Sequence, residues 1–403
     1  MPGQPSIKEV QSAAALLAGV AVTTPVQESR WLSKKVGGRV VCKCENLQRT
    51  GSFKIRGAYT RIARLDADVR SRGVVAASAG NHAQGVALAA RLLGVGSTVF
   101  TPEGASLPKL AATRAYGADV REGGETLAEA LAAAEGFAAE TGAELIHPYD
   151  HPDVVAGQGT VGLEVLAQLP DARTVVVPTG GGGLLAGVAL AVKAQAPDVR
   201  VVGVQATGAA AYPLALRAGR PIRLEAMATM ADGIAVPLPG EVPFALVRDL
   251  VDDVVTVSED SLAKALLLML ERGKLVVEPA GVAGVAAVMD APDQFEPPVV
   301  VVLSGGNADP VLLQRVLLQG MAAAGRFLTL RVPIPDSPGA LAHLLEVIGD
   351  AGGNVSEVNH MRAEPSLAVN EVEVAVTVET RGQAHSDLLL EHLIRSGYTV
   401  RHS

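Results

Sequence analysis

The chain has 403 residues, of which 49% are hydrophobic and 19% charged, and its formal net charge is −8 at pH 7. This length allows two or three domains with substantial cores. The negative charge, without a long basic run, argues against nucleic acid as a partner. Residues 1–11 lack the apolar core of a signal peptide, and no apolar run approaches the roughly 20 residues of a membrane span. We expect a globular cytoplasmic protein with no membrane partner.

Strands and helices alternate along the first 150 residues. The pattern predicts strands at 40–44, 73–77, 97–101, 119–122 and 144–146, and helices at 7–17, 53–65, 83–93, 108–116 and 126–141. Continuous apolar strands of this kind are typical of buried parallel sheets, and the alternation places helices on both faces.

The same alternation continues to about residue 303. It predicts strands at 174–178, 201–205, 254–257 and 298–303, and helices at 161–168, 184–194, 261–272 and 280–289. Several strands end in polar, glycine-rich loops. Two such sheets would face each other across a cleft, which is where open parallel sheets bind ligands.

The two cysteines, Cys42 and Cys44, lie two residues apart on the first of these strands. Their side chains share one face, so they cannot easily bridge each other. No further soft ligands cluster nearby in the sequence, so we expect reduced, packed thiols and no metal site.

Lys54 stands where that strand, after a polar turn, leads into a helix. This junction places an amine where a cofactor can lie, and Phe53 offers a flat apolar face beside it. A capped helix with a solvated lysine is the simpler interpretation. Three further glycine-rich junctions downstream favour a ligand site.

Four consecutive glycines, Gly180, Gly181, Gly182 and Gly183, connect an apolar strand to a helix and are followed by Leu184. Bare amides at a helix N-terminus bind a phosphate dianion, and side chains there would block its approach. A dinucleotide site would instead have the G-x-G-x-x-G spacing and an acidic residue closing the next strand. Here that strand ends in Gln205, so the phosphate of another cofactor is the better interpretation.

Four ordered motifs resemble those of threonine dehydratase (threonine ammonia-lyase). They are residues 52–58 (SFKIRGA), 78–85 (SAGNHAQG), 180–183 (GGGG) and 304–307 (SGGN). The resemblance covers residues 1 to about 320 and implies the pyridoxal-phosphate fold of the tryptophan synthase beta subunit. This fold is α/β, with two open parallel sheets and a small subdomain at about 53–151 inserted in the large one.

The resemblance also implies a role for each motif. Lys54 would hold pyridoxal 5'-phosphate as a Schiff base with Phe53 against the ring, while Asn81 bonds the ring hydroxyl. The phosphate would lie on Gly180 to Gly183 with Leu184, and Ser304 would meet the pyridine nitrogen. The substrate carboxylate would be held by Ser78, Gly80, Asn81 and His82, and the catalytic residues would be Lys54 and Ser78.

The chemistry of β-elimination from a hydroxy amino acid agrees with this assignment. The Lys54 amine is placed to remove the α proton, and the cofactor ring spreads the resulting charge. Because Ser304 is neutral, the carbanion should be less stabilised and loss of the leaving group more concerted. The resemblance implies that the cofactor phosphate helps to protonate the departing hydroxyl.

Departures from related enzymes narrow the activity. Serine racemase has a second serine where this chain has Ala79, which has no proton to give, so racemisation is not expected as a main activity. Relatives with a divalent cation use carboxylates where this chain has Gln205, Ala209 and Ala211, so no tight divalent site is expected. Glu278 either lines the cleft or forms a structural salt bridge.

After residue 325 the pattern changes to strand, helix, two strands, helix and strand, which is the ferredoxin-like plan. Residues 338–341 (PGAL) and 353–355 (GNV) resemble an ACT domain, a module that binds amino acids, often between two copies. The domains predicted are therefore 1–325, catalytic, and 326–403, regulatory. A silent oligomerisation domain is the alternative.

We predict that isoleucine binds at Asp336, Gly339, Ala340, Leu341 and Asn354 of a tetramer or dimer. The backbone amides at that helix start suit an α-carboxylate.

Three hypotheses for function stay open. The first is a threonine dehydratase that also takes serine, in isoleucine biosynthesis, with a catabolic enzyme as rival. The second is another enzyme of this fold, such as a 3-hydroxyaspartate dehydratase, and the third is a catalytically idle amino-acid sensor.

Overall fold

A computed structural model describes residues 3–323, 325–361 and 370–402. The chain divides into two compact units, 1–313 and 314–403. The described part of the first unit carries all the predicted catalytic motifs. No helix in the described ranges is long and apolar enough to cross a membrane.

The first unit contains thirteen helices and ten strands among its described residues. The helices are α1 Ile7–Leu16, α2 Arg30–Val36, α3 Lys54–Ala63, α4 Ala67–Ser71, α5 Asn81–Leu92, α6 Leu107–Ala115, α7 Leu127–Thr141, α8 Pro152–Gln168, α9 Gly183–Gln195, α10 Ala211–Ala218, α11 Glu241–Leu250, α12 Glu259–Leu268 and α13 Ala283–Asp290. The strands are β1 Val26–Glu28, β2 Val40–Lys43, β3 Val74–Ala77, β4 Ser97–Thr101, β5 Asp119–Glu122, β6 Glu144–Leu145, β7 Thr174–Pro178, β8 Arg200–Ala206, β9 Asp253–Val257 and β10 Val299–Val302.

Two sheets organise this unit, in keeping with the predicted fold class. The larger has six strands in the order β1-β2-β10-β7-β8-β9, and all pairs except β1 with β2 are parallel. The smaller has the order β5-β4-β3-β6 and is wholly parallel. Strands β2, β7 and β10, whose residues are completely buried, adjoin one another in the larger sheet. The loops that follow them therefore leave the same edge.

Several predicted boundaries were wrong. Helix α8 begins at Pro152 rather than at residue 161. It contains Gly157, Gly159 and Gly162, which lower helix propensity, but each lies against neighbouring backbone or side chains with no room for a Cβ. The helix predicted at 261–272 ends at Leu268 and continues as a π-helical turn, Met269–Gly273. Elements β1, α2, α4, α10 and α11 were not predicted.

A buried ionic network supports the strand-turn-helix junction at Lys54. Arg56 donates to both oxygens of Glu45 at 2.8 Å and to Glu164 at 2.6 Å. Lys43 donates to the other oxygen of Glu164 at 2.5 Å. The side chains of Lys43, Glu45 and Arg56 are no more than 1% exposed, so burial alone would raise the pKa of Glu45, but the guanidinium holds it below its ordinary value. Two cations and two carboxylates thus join strand β2, helix α3 and helix α8.

The two cysteines at this strand are packed in the interior, as predicted. Cys42 and Cys44 are both buried and both free. Burial raises the pKa of the Cys44 thiol to about 11, so the thiol stays protonated and unreactive at neutral pH.

The second unit follows the predicted βαββαβ order. Its elements are α14 Pro310–Ala323, which begins before the division, β11 Phe327–Pro335, α15 Ala340–Asp350, β12 Asn354–Met361, β13 Glu371–Glu379, α16 Gln383–Arg395 and β14 Arg401–His402. The four strands form one antiparallel sheet in the order β12-β13-β11-β14. A strip of valines on β13 packs with leucines of α15 and α16 as its core.

Candidate active site

Lys54 is the first residue of helix α3. Its Nζ donates a hydrogen bond to the carbonyl oxygen of Pro148 at 2.9 Å and lies 5.1 Å from the centre of the Phe53 ring. Burial lowers the pKa of the amine to about 8, although the nearby Glu278 opposes the shift. Such an amine is partly neutral near physiological pH and can accept a proton.

The segment that accepts this hydrogen bond also reaches the glycine loop. Tyr149, the next residue after Pro148, lies so close to Gly181 that a Cβ there would stand 2.5 Å from the ring. On the other side of the loop, a Cβ on Gly182 would collide with the hydroxyl of Tyr212, and its φ is +99°. Only glycine suits a position with that conformation and that neighbour.

The glycine loop presents bare amides. Helix α9 begins at Gly183, and the backbone N–H groups of residues 180–184 have no hydrogen-bond partner among the described residues. Gly180 packs against the turn Asp232–Ile234, where its Cβ would lie 3.1 Å from the Cα of Ile234. Unpaired amides at a helix N-terminus, free of side chains, fit a phosphate group.

The loop after β10 is tied directly to the Lys54 junction. Phe53 donates its amide to the carbonyl of Ser304 at 3.2 Å, and Gly306 donates to the carbonyl of Gly51 at 2.8 Å. Ser304 is only 4% exposed, and its hydroxyl has no partner within residues 3–323, 325–361 and 370–402. The structure thus brings Ser304 next to Phe53 and leaves its hydroxyl available to a ligand.

The loop after β3 leads into helix α5. The Ser78 hydroxyl accepts the amide of Gly80 at 3.2 Å, and α5 begins at Asn81. The backbone N–H groups of residues 81–83 have no partner in the described part of the chain. A carboxylate would be favoured at such a helix start.

The ring of His82 is held by a hydrogen bond of its own. Its Nε2 donates to the carbonyl oxygen of Ile146 at 2.7 Å, and it is 5% exposed. Burial lowers the pKa of the ring to about 3, with Lys54 adding to the effect. A neutral imidazole used in this way anchors α5 to the residue after β6, so only its backbone amide remains for a substrate.

Asn81 lies at the centre of a polar cluster. Its Nδ2 donates to Glu278 at 2.7 Å, and its Oδ1 accepts from Asn307 at 2.8 Å. Burial raises the pKa of Glu278 to about 7, and Asp232 contributes further. Glu278 thus contacts Asn81, and it forms no salt bridge with any residue in the described ranges.

Sequence reasoning missed two members of this neighbourhood. Asn307 ends the motif 304–307 but was given no role of its own, although it donates to the carbonyl of Thr50 at 2.6 Å as well as to Asn81. Tyr149 carries no motif of its own. Its position three residues after the predicted strand 144–146 was the only available signal, since strand ends of a parallel sheet meet at the cleft.

The predicted effector residues do not all come together within one chain. Gly339, with φ +89°, precedes α15, while Asn354 follows that helix. The strand register also separates these two places. Pro335 pairs with Glu371 at one end of β13, and Asn354 pairs with Glu379 at the other end. The side chain of Asn354 donates to Glu379 at 2.9 Å. The segment 336–341 and Asn354 thus lie at opposite ends of the sheet, at least ~20 Å apart at 3.3 Å per residue.

Several known proteins are similar to this chain over most of its length. The family described as "Pyridoxal-phosphate dependent enzyme" matches residues 18–305. An L-threonine ammonia-lyase of Thermotoga maritima is 43% identical over 396 residues, which is 98% of this chain and 99% of that protein. The catabolic L-threonine dehydratase of Escherichia coli K12 is 40% identical over 75% of this chain and 93% of its own. Among solved structures, a threonine deaminase from T.th. aligns with a TM-score of 0.73 and 44% identity, covering 76% of this chain and 99% of that one.

The chain belongs to the pyridoxal-phosphate-dependent enzymes, and its cofactor is pyridoxal 5'-phosphate. The unpaired amides of the glycine loop and the half-buried amine of Lys54 fit that group. Within this family the chain groups with the threonine ammonia-lyases, which are carbon–nitrogen lyases.

Proposed function

We propose that the protein converts L-threonine to 2-oxobutanoate and ammonia, and L-serine to pyruvate and ammonia. The observation that carries the proposal is the convergence of Lys54, Asn81, Ser304 and the glycine loop on one cleft, linked by the contacts of Pro148, Tyr149 and Asn307. The free, buried cysteines fit a cytoplasmic enzyme.

Each part of the site has a place in holding the cofactor. The amides of residues 180–184 would bind its phosphate, Asn81 its ring hydroxyl and the Ser304 hydroxyl its pyridine nitrogen. Lys54 would attach it, and Phe53 would lie against the ring. When bound, the cofactor supplies a ring that spreads the negative charge left by removal of the substrate's α proton.

The protein's own groups orient the substrate and move the proton. The amides at the start of α5, with the Ser78 hydroxyl and the Gly80 backbone beside them, would bind the substrate carboxylate. Nζ of Lys54 would take the α proton, for which a pKa of about 8 is well matched near neutral pH. Ser304 is neutral, so it would hold the pyridine nitrogen without a carboxylate's charge, and the cofactor would supply a weaker electron sink here than it would beside a carboxylate.

One assay decides among the candidate activities. The purified protein with pyridoxal phosphate is given L-threonine, L-serine or 3-hydroxyaspartate, and the 2-oxo acid released is measured. Threonine and serine should be turned over, with little product from 3-hydroxyaspartate. Preference for 3-hydroxyaspartate would identify a different dehydratase, and no product from any of them would leave an amino-acid sensor.

We propose further that the second unit is an ACT-like regulatory domain that binds isoleucine in an enzyme of isoleucine biosynthesis. The βαββαβ order and the start of helix α15 directly after the positive-φ Gly339 support this assignment. Because Asn354 lies at the other end of its own sheet, it would reach a ligand at residues 336–341 only from a second copy of the chain. A dimer or tetramer with paired regulatory domains would satisfy this condition.

A further inference from the structure

A lysine stands beside the loop proposed to hold the substrate carboxylate. Lys109 lies in the first turns of helix α6, and its Nζ is 4.0 Å from the point where a Cβ on Gly80 would be. Gly80 directly precedes α5, whose first amides are unpaired among the described residues. The ammonium group and these amides therefore border the same small space.

An acidic residue from the other side of the cleft holds this lysine. Lys109 Nζ donates to Asp232 Oδ2 at 2.7 Å. The turn that Asp232 begins packs on Gly180 of the glycine loop. The pair thus connects the rim that carries the substrate loop with the rim that carries the glycine loop.

The degree of burial of the two partners differs. The Lys109 side chain is 13% exposed, whereas that of Asp232 is 55% exposed. An ion pair with one solvated partner contributes little to folding stability. A gain in folding stability therefore does not explain why an ammonium group lies in the cleft. Because Asp232 is largely solvated, the Lys109 ammonium group can leave it and pair with another anion that enters the cleft.

The start of α6 is fixed by a second contact. The hydroxyl of Ser106, the residue before α6, donates to Asp309. The other oxygen of Asp309 accepts the amide of Val311 at 2.8 Å. These bonds hold the first turn of α6 against the part of the chain that follows β10, so Lys109 has a defined position rather than the freedom of a surface lysine.

We propose that Lys109 is a substrate-positioning residue, which attracts the α-carboxylate of the amino acid onto the amides at the start of α5. Asp232 keeps the ammonium group over the loop until the substrate binds. This inference rests on the proposed function, because it adds a residue to the carboxylate subsite of that reaction. It assigns Lys109 to binding and leaves proton transfer to Lys54.

The test compares Lys109→Met, Lys109→Arg and Asp232→Asn with a matched control, Lys193→Met. Lys193 pairs with Asp252 at 2.9 Å and is 16% exposed, but it lies in the last turn of α9, about 15 Å along that helix from the glycine loop at 1.5 Å per residue. The KM and kcat for L-threonine are measured for each. Lys109→Met should raise KM at least about tenfold and change kcat less than about threefold, Lys109→Arg should stay near wild type, and the control should not change.

A second measurement separates positioning from a purely structural role. Binding of L-alanine and of L-alaninamide, which lacks the carboxylate, is followed by the absorbance of the bound cofactor. Lys109→Met should weaken alanine binding by the same factor of about ten that is expected for KM, and leave alaninamide binding unchanged. Equal weakening of both ligands, or an unchanged KM, would overturn the proposal.

Two safeguards keep the result interpretable. If Lys109→Met fails to fold, Asp232→Asn serves instead, and it should raise KM severalfold without changing alaninamide binding; a KM equal to wild type would then refute the role. If the wild-type enzyme does not turn over threonine, the proposed function fails, while the comparison of alanine with alaninamide still decides the role of Lys109.

Discussion

The side-chain amide of Asn81 donates to the carboxylate of Glu278 across 2.7 Å, although the two residues are 197 positions apart. Asn307 donates to the oxygen of the same amide at 2.8 Å. These two bonds fix which way the Asn81 amide faces and leave one of its N–H groups for a ligand. A residue expected to meet the cofactor is thus oriented by two others that need not touch it.

Glu278→Gln should stabilise the cofactor-free protein at alkaline pH. Burial raises the pKa of Glu278 from 4.5 to about 7, so the folded state is penalised when this group ionises. The penalty is absent below the unfolded pKa of 4.5 and complete above the folded pKa of about 7. Urea unfolding at alkaline pH, about one unit above the folded pKa, should show a gain of about 1–3 kcal/mol in the free energy of unfolding, with a much smaller gain near the unfolded pKa.

The control for this measurement is Glu225→Gln, because Glu225 is exposed. It should leave the free energy of unfolding nearly unchanged at both pH values. A gain for Glu278→Gln that is the same at acidic and alkaline pH would contradict the assigned pKa shift.

Lys54→Ala should abolish formation of 2-oxobutanoate while the protein still folds and binds cofactor without a covalent bond. A single general base contributes roughly 10²–10⁴-fold, so turnover should fall below about a thousandth of wild type. Borohydride treatment followed by mass spectrometry should label the wild type and not the variant. The distant variant Lys193→Ala should keep full activity, and a Lys54→Ala enzyme with appreciable turnover would show that another group removes the proton.

Ala79→Ser should create some racemase activity. Ala79 lies between β3 and the start of α5, where a hydroxyl would offer a proton donor that the wild type lacks. Conversion of L-serine to D-serine, measured by chiral chromatography, should rise above a near-zero background. Ala79→Gly is the matched control and should not racemise. Substantial racemisation by the wild type would show that Ala79 does not prevent this reaction.

Isoleucine should inhibit the full-length enzyme and raise its thermal midpoint. For inhibition it must bind the less active state more tightly, and a coupling of about 1–3 kcal/mol gives effects of roughly 5–150-fold. A form ending after residue 325, if it folds, should remain active and ignore isoleucine. If millimolar isoleucine changes neither activity nor thermal midpoint of the full-length protein, the effector is a different molecule or the second unit only assembles the enzyme.

Much of the architecture could be predicted from the sequence because buried parallel strands are short, apolar and followed by distinctive loops. The α/β fold class, the pyridoxal-phosphate cofactor and the threonine dehydratase family are confirmed. Helix α8 was predicted too short, because glycines oppose helix formation in isolation. In the structure, a Cβ on Gly157 would stand 2.6 Å from the carbonyl oxygen of Arg56, so packing between helices overrides propensity there.

The remaining differences depend on which side chains meet across the cleft. Whether the His82 ring faces the substrate loop or the carbonyl of Ile146 is decided by tertiary packing, which spacing along the chain does not encode. The same holds for the partners of Glu278. The separation of Gly339 from Asn354, by contrast, could have been predicted from the sequence. The helix predicted between them is long enough to place them at opposite ends of the domain's sheet.

The four-charge network beneath Lys54 limits how this reactive lysine could be moved to another protein. Arg56 shares the first turn of α3 with Lys54, but its carboxylate partners come from the turn after β2 and from α8, over a hundred residues later. A graft of residues 52–58 alone would carry a buried guanidinium without its counterions, and an uncompensated buried charge costs about 3–5 kcal/mol. The smallest transferable unit therefore includes Glu45 and the part of α8 that bears Glu164, and random recombination within residues 43–164 should yield few folded chimaeras unless those positions come from one parent.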